Sequence, residues 1–265
     1  MDLILEHLTE ASEYYTPEHR LSLLNSCCPS LVFHARMLDI YRQGWWWALR
    51  GVYDGAHWVH GSLRVLRALE SVGVRFSIEN MGVIDRIDGP AVFISNHMST
   101  LETFVLPCLI HPRKKITFIV KEDLLKFPFF GRVIGARQPI AVGRKDPRQD
   151  LRVVLDEGSS RLLSGRSVVV FPQTTRSQDF LPEKFNSIGV KLAGRASVPV
   201  VPVALRTDAW APGKVVKDFG PIHPEKPVHI SFGEPMAVEG GGRDQHEAVI
   251  KFIQGKLEEW VKKEG

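Results

Sequence analysis

Apolar and polar positions along the chain change rhythm near residue 75. Before that point apolar residues recur at helical spacing and strand signals are nearly absent. One helix is expected after Thr16-Pro17-Glu18, with Thr16 as its cap and Pro17 in its first turn. A longer helical stretch is expected after Pro29, carrying Trp45-Trp46-Trp47 and then Trp58. Beyond residue 75, short β-rich runs alternate with helical segments. The expected strands are Val74–Glu79, Ala91–Ser95, Ile116–Val120, Gln138–Val142, Ser167–Phe171, Val198–Ala204 and Val228–Phe232. Helices are expected over Thr100–Ile110, Pro147–Leu163, Asn186–Gly194 and Arg243–Lys263, the last after a flexible Gly240-Gly241-Gly242 turn. This alternation predicts an α/β fold, a mixed, largely parallel sheet flanked by helices. It divides the chain into an N-terminal helical segment (residues 1–75) and an α/β domain (residues 76–265). Catalytic groups are expected in loops at strand ends.

Composition narrows the classes. The chain has 265 residues, 44% of them hydrophobic and 24% charged, as in an ordinary folded protein. Lys and Arg total 34 against 30 acidic residues, a net charge of +4. That excess suits an anionic membrane surface or a phosphorylated substrate, and it is too small and dispersed to argue for nucleic acid. Cys27, Cys28 and Cys108 offer neither a disulfide framework nor a metal site, so buried reduced thiols and no metal are expected. The segment from Met1 to His7 lacks the basic patch, apolar run and cleavage site of a signal peptide. No apolar run reaches about 18 residues. The nearest, Leu31 to Leu69, is broken by Arg36, Asp39, Arg42, Arg50, Asp54, Arg64 and Arg67. A chain of this kind is expected to lie on a membrane rather than cross it.

The stretch Ala91 to Glu102 runs from an apolar strand into a polar turn and then a helix, with His97 at the strand's end. Five positions separate His97 from Glu102. On a continuous helix that is about 500° of rotation, which sets the side chains on different faces. They meet only if the chain turns between them. A carboxylate so placed holds one imidazole nitrogen and raises the basicity of the other. Two plainer readings stand beside this one: a satisfied loop histidine, and a capping box in which Glu102 reaches back to the backbone at Ser99. No Ser or Cys stands in a nucleophile-elbow setting, so a covalent intermediate has no support.

Downstream blocks change the weighting. Asn96-His97 followed by Glu102 looks like an Asn-His-x4-Asp block. Lys121 to Gly131 is similar to a Lys-x-x-Leu…Pro-x-x-Gly segment, and Ile140 to Arg144 to a strand ending in Arg. Phe171-Pro172-Gln173-Thr174-Thr175-Arg176-Ser177 resembles Phe-Pro-Glu-Gly-Thr-Arg-Ser, and Val198 to Val203 is a Val-Pro-rich strand. In this order over about 110 residues they resemble the glycerolipid acyltransferase family, which includes 1-acylglycerol-3-phosphate acyltransferases. The resemblance implies the fold of that family and transfer of a fatty acyl group from a thioester to the hydroxyl of a lysophospholipid-like acceptor, 1-acylglycerol-3-phosphate foremost. It implies His97 as general base oriented by Glu102, and Asn96, Ser99, Arg144, Gln173, Thr174, Thr175 and Arg176 as substrate-binding residues. It implies no cofactor: acyl-CoA or acyl carrier protein enters as the donor substrate. Its partners are then a lipid acceptor, the acyl donor and an anionic membrane surface at the cytoplasmic face.

Two departures bear on the acceptor. Glu102 stands where the family generally has Asp, and Gln173-Thr174 replaces Glu-Gly, removing a charge and adding a side chain. The second departure keeps open an alternative, a catalytically silent member that binds lipid or acyl carrier; a hydrolase ranks last. Arg144 and Arg176 suit a phosphate, gripped through several N–H groups. Two segments mix aromatic and basic residues as interfacial segments do: Tyr41 to Trp58, and Leu124 to Arg137. The plainer reading of the first is a helical hairpin whose aromatics fill a core.

Overall fold

The computed structural model describes residues 8–173, 175–214 and 219–264. All seven expected strands form, most of them trimmed at their ends: β2 (Phe76–Glu79), β3 (Val92–Ser95), β4 (Ile116–Lys121), β5 (Ile140–Val142), β6 (Ser167–Val170), β7 (Val200–Arg206) and β8 (Val228–Phe232). A two-residue strand, β1 (Tyr14–Tyr15), adds an edge that no sequence period announces. The sheet order is β1-β2-β8-β7-β3-β6-β4-β5. β7, β3, β6, β4 and β5 run parallel; β8 runs against β7, β2 follows β8, and β1 opposes β2. The expected mixed, largely parallel sheet flanked by helices is therefore what forms.

Helices follow the pattern with one correction. No helix starts after Thr16-Pro17-Glu18; residues 16–22 are irregular, and the first short helix, α1 (Leu23–Cys27), is capped by Ser22, whose hydroxyl accepts the Asn25 N–H. Thr16 cannot cap because its hydroxyl is engaged elsewhere. It donates to Glu70 at 2.7 Å and accepts the Phe76 N–H at 2.7 Å, holding the chain extended beside β2. The stretch after Pro29 is a hairpin of α2 (Pro29–Leu49) and α3 (Gly55–Glu70), broken at Gly51 in the left-handed region (φ 72°) and restarted by Asp54, which accepts the His57 N–H. Then come α4 (Leu101–Ile110), the unanticipated α5 (Phe130–Gly135), α6 (Pro147–Leu163), α7 (Ile188–Ala196) and α8 (Arg243–Glu264).

Strand alternation sorts the core into two layers. Phe93, Val169, Val201 and Val203 face a cluster with α3 and α4, which Phe33 and Met37 of α2 join. Val92, Ile94, Val168, Val170 and Val200 face the other cluster, with α6, α7 and α8. The N-terminal helices thus share one core with the sheet. β3 lies between β6 and β7, buried on both faces, and its C-terminal end opens where those two strands also end. Chain leaving all three strands there converges on one spot.

Candidate active site

β3 stops at Ser95, and the next residues are locked to its neighbours. Asn96 continues the ladder toward β7 with its side chain: its amide nitrogen donates to the Leu205 carbonyl at 2.7 Å and its oxygen accepts the Leu205 N–H at 2.9 Å. With 2% of its surface exposed, Asn96 holds the strand end and presents nothing to a cleft. His97 follows, and the loop after β6 ties down its backbone. Its N–H donates to the Gln173 side-chain oxygen at 2.8 Å, and its carbonyl accepts the Ser177 N–H at 2.9 Å. The ring stacks on Phe171, centroids 4.4 Å apart and 21° from parallel.

The chain turns between His97 and α4, and Glu102 swings back beneath the imidazole. Its Oε1 lies 2.9 Å from His97 Nδ1 and also accepts the Met98 N–H at 2.7 Å and the Ser99 N–H at 3.0 Å. Its Oε2 accepts the Thr207 hydroxyl at 2.6 Å and the Ser99 hydroxyl at 3.0 Å. Ser99 Oγ in turn accepts the Leu101 N–H at 3.1 Å, so the capping box and the histidine pair coexist on one carboxylate. The Glu102 side chain is fully buried, whereas 14% of the His97 side chain remains exposed. Burial by itself pushes a carboxyl up; the hydrogen bond and charge of His97, then the Thr207 hydroxyl, outweigh it and hold Glu102 below the ordinary range. A carboxylate facing Nδ1 favours the tautomer that carries its proton there, the one in which Nε2 bears the lone pair.

Arg176 lies on the exposed side of the same loop and donates to the Thr100 hydroxyl. With Gln173, Thr175, Ser177, Leu181 and Lys184 it lines a cleft of about 140 Å³, two of whose residues, Gln173 and Ser177, hold the His97 backbone. Arg144 stands apart. It follows β5 with a left-handed backbone (φ 54°), at the same end of the sheet but three strands from β3, roughly 14 Å at ordinary strand spacing. Thus His97, Glu102, Asn96, Ser99, Gln173 and Arg176 come together, Thr175 lies in the adjoining cleft, and Arg144 starts from the end of β5, three strands from β3. Thr174 falls outside the described residues. Among the described residues no group of His, Cys, Asp and Glu is arranged to hold a metal ion, and of the three cysteines expected to be buried only Cys108 is, Cys27 and Cys28 at the end of α1 being exposed.

Residues 74–206 match the family model described as Acyltransferase, half of the chain and the half that contains this site. The chain belongs to the acyltransferase family. It is 30% identical over 190 residues to a 1-acyl-sn-glycerol-3-phosphate acyltransferase of Pseudomonas aeruginosa, covering 71% of this chain and 68% of that protein. A chloroplastic protein of the same description from Arabidopsis thaliana is 31% identical over 131 residues, 49% of this chain and 36% of the relative. The crystal structure of a 1-acyl-sn-glycerophosphate acyltransferase from Thermotoga maritima shares the fold at a TM-score of 0.66 and 20% identity, covering 90% of this chain and 97% of that one.

Sequence reasoning about this acyltransferase missed Thr207, whose hydroxyl makes the shortest contact to Glu102, and the stacking of Phe171. No sequence motif marks Thr207; it immediately follows β7, a strand that the fold sets parallel to β3 and ending beside it. Substituting Asn96→Ala leaves the buried Leu205 N–H and carbonyl unmet and is expected to destabilise the fold by about 1–3 kcal/mol. Urea denaturation reads this directly, and an unchanged midpoint would remove Asn96 from the strand-end lock.

Proposed function

We propose that this acyltransferase transfers a fatty acyl group from acyl-CoA or acyl carrier protein to the free hydroxyl of 1-acylglycerol-3-phosphate. The observation that carries the reading is the His97 Nδ1 to Glu102 Oε1 contact at 2.9 Å, in which a fully buried carboxylate fixes the tautomer of a partly exposed imidazole. His97 Nε2 takes the proton from the acceptor hydroxyl as its oxygen attacks the thioester carbonyl carbon. The tetrahedral oxyanion collapses, the C–S bond breaks, and the leaving thiolate takes the proton back from the imidazolium. Products are the new ester and a free thiol. Glu102 stays ionised and stabilises the imidazolium while it exists. Much of the rate comes from holding two amphiphiles in one geometry.

Arg176 and Lys184, in the cleft lined by Gln173 and Ser177, suit the acceptor phosphate. Arg144 adds a cation at the same end of the sheet, farther from the base. The acceptor is supported by what the Pseudomonas and Arabidopsis relatives are described as acting on. The second reading, a binding member without turnover, rests on Gln173 in place of Glu. Gln173 offers its oxygen to the His97 N–H, a task either residue performs, which weakens that reading.

Membrane contact is proposed at the face where the two aromatic segments meet. Trp45 lies 5.7 Å from Phe129 and Tyr41 lies 4.4 Å from Phe130, ring to ring. Around them Leu38, Trp46, Leu49, Phe127 and Phe129 are exposed, and the Arg50 guanidinium sits 3.6 Å over the Trp46 ring. An apolar patch with a guanidinium seated on it fits an anionic lipid surface. No described helix is long and apolar enough to cross a membrane, and the contact proposed is peripheral or monotopic.

The assay is incubation with labelled acyl-CoA or acyl carrier protein and a panel of lysolipids. Transfer to 1-acylglycerol-3-phosphate is expected, falling by about 100-fold or more in His97→Ala. Transfer that persists in the variant removes His97 as the base, and lipid binding without transfer to any acceptor favours the second reading. Vesicles of phosphatidylglycerol should shift tryptophan emission to the blue, and Trp46→Glu with Phe129→Glu should abolish the shift. An unchanged emission maximum in the unsubstituted protein contradicts the proposed face.

A further inference from the structure

The carboxylate under His97 has two ends, and the reaction proposed above uses only one. Oε1 meets the imidazole. Oε2 points into the protein, toward Thr207, which is fully buried just past the end of β7. The Thr207 hydroxyl donates to Oε2 at 2.6 Å, and the Ser99 hydroxyl lies 3.0 Å from both Oε2 and Thr207 Oγ1. Thr207 is itself pinned, its N–H resting 3.2 Å from the sulfur of Met98, the residue between His97 and Ser99. Two hydroxyls from elements 108 residues apart therefore clamp the oxygen that does not touch histidine.

We infer that Thr207 is a positioning residue for the acyl transfer, its hydroxyl holding Glu102 Oε2 so that Oε1 stays on His97 Nδ1. The inference rests on His97 being the base. Two consequences follow from charge and reach. A hydroxyl donated to one carboxylate oxygen draws negative charge away from the other, so it moderates the pull of Glu102 on the imidazolium. The clamp also requires the length of glutamate. An aspartate at position 102 pulls the carboxylate back by one C–C bond, about 1.5 Å, which takes Oε2 out of hydrogen-bond reach of Thr207. Thr207 and Glu102 are thus a matched pair, and the extra methylene that departs from the Asn-His-x4-Asp pattern is what closes the contact.

Among the described residues, charged groups reach the surroundings of the pair from three elements. Glu102 comes from α4, and Arg176, from the loop after β6, donates to Thr100 on the turn into that helix. Asp208, next to Thr207, is engaged with Lys226 at 2.8 Å and lies 3.9 Å from Arg206. The phenyl ring of Phe171 covers the imidazole face. The acid limb of the kcat/KM profile is the readout chosen for this contact.

The test compares kcat/KM against pH for the unsubstituted enzyme, Thr207→Val, Thr207→Ser, Glu102→Asp and the Glu102→Asp/Thr207→Val double variant, with His97→Ala as reference. Thr207→Val, close to isosteric, is expected to lower kcat about tenfold with little change in acceptor KM. It is also expected to move the acid limb upward by about half a pH unit. Thr207→Ser restores both, and in the Glu102→Asp background Thr207→Val changes kcat by less than about twofold. An unshifted limb in Thr207→Val, whether or not kcat falls, overturns the inference, because loss of packing alone does not move it. If Thr207→Val does not fold, Ser99→Ala removes the other hydroxyl from Oε2 and must move the limb the same way; a fixed limb there overturns it equally. Lost transfer in His97→Ala with a fixed limb in Thr207→Val overturns this inference alone. Retained transfer in His97→Ala overturns the base reading and this inference together.

Discussion

A carboxylate with no exposed surface is among the least tolerable groups in a protein interior unless its lone pairs are met. Glu102 is such a group, and the region around it is built to satisfy it. Backbone N–H groups of Met98 and Ser99 reach one oxygen together with His97, and the hydroxyls of Ser99 and Thr207 reach the other. Meeting that demand fixes the turn after β3, the start of α4 and the end of β7 at once. The imidazole inherits this order: it is held by a group that cannot move without leaving a buried charge unmet. That is what preorganisation of the proposed base means in physical terms.

The sheet supplies the second constraint. β3 lies between β6 and β7, so its C-terminal end is bracketed by two others, and each contributes a grip. Leu205 of β7 takes both ends of the Asn96 amide, while Gln173 and Ser177 beyond β6 take the N–H and carbonyl of His97. The blocks at Asn96-His97 and Phe171–Ser177 and the Val-Pro strand before Leu205 are therefore not separate signals: a doubly buried central strand brings them to one place, while the block ending at Arg144 lies three strands away.

Much of this was legible in the chain. Strands buried on both faces read as runs such as Ser167–Val170 and Val200–Val203, because β-branched residues must fill both sides. His97 and Glu102 were legible as a pair through the turn between them. The misses have a common cause in long-range hydrogen bonds. Thr16 reads as a helix cap until Glu70, 54 residues away, takes its hydroxyl. Asn96 reads as a ligand-binding amide until Leu205, 109 residues away, takes both its ends. Thr207 carries no local motif, and its partner is 105 residues back. The capping box at Ser99 and the pairing of His97 were set against each other as alternatives, yet a carboxylate has enough lone pairs for both.

The central claim is that Glu102 holds His97 as the Nδ1-protonated tautomer, leaving Nε2 as the base. Nitrogen-15 resonance of histidine-labelled protein at neutral pH, with His97 assigned by difference from His97→Ala, tests it without substrate. The expected spectrum has a protonated Nδ1 and an unprotonated, pyridine-like Nε2 at His97, with the Nδ1 proton shifted downfield by the carboxylate. A His97 carrying its proton on Nε2, or exchanging freely between the two nitrogens, would contradict the account.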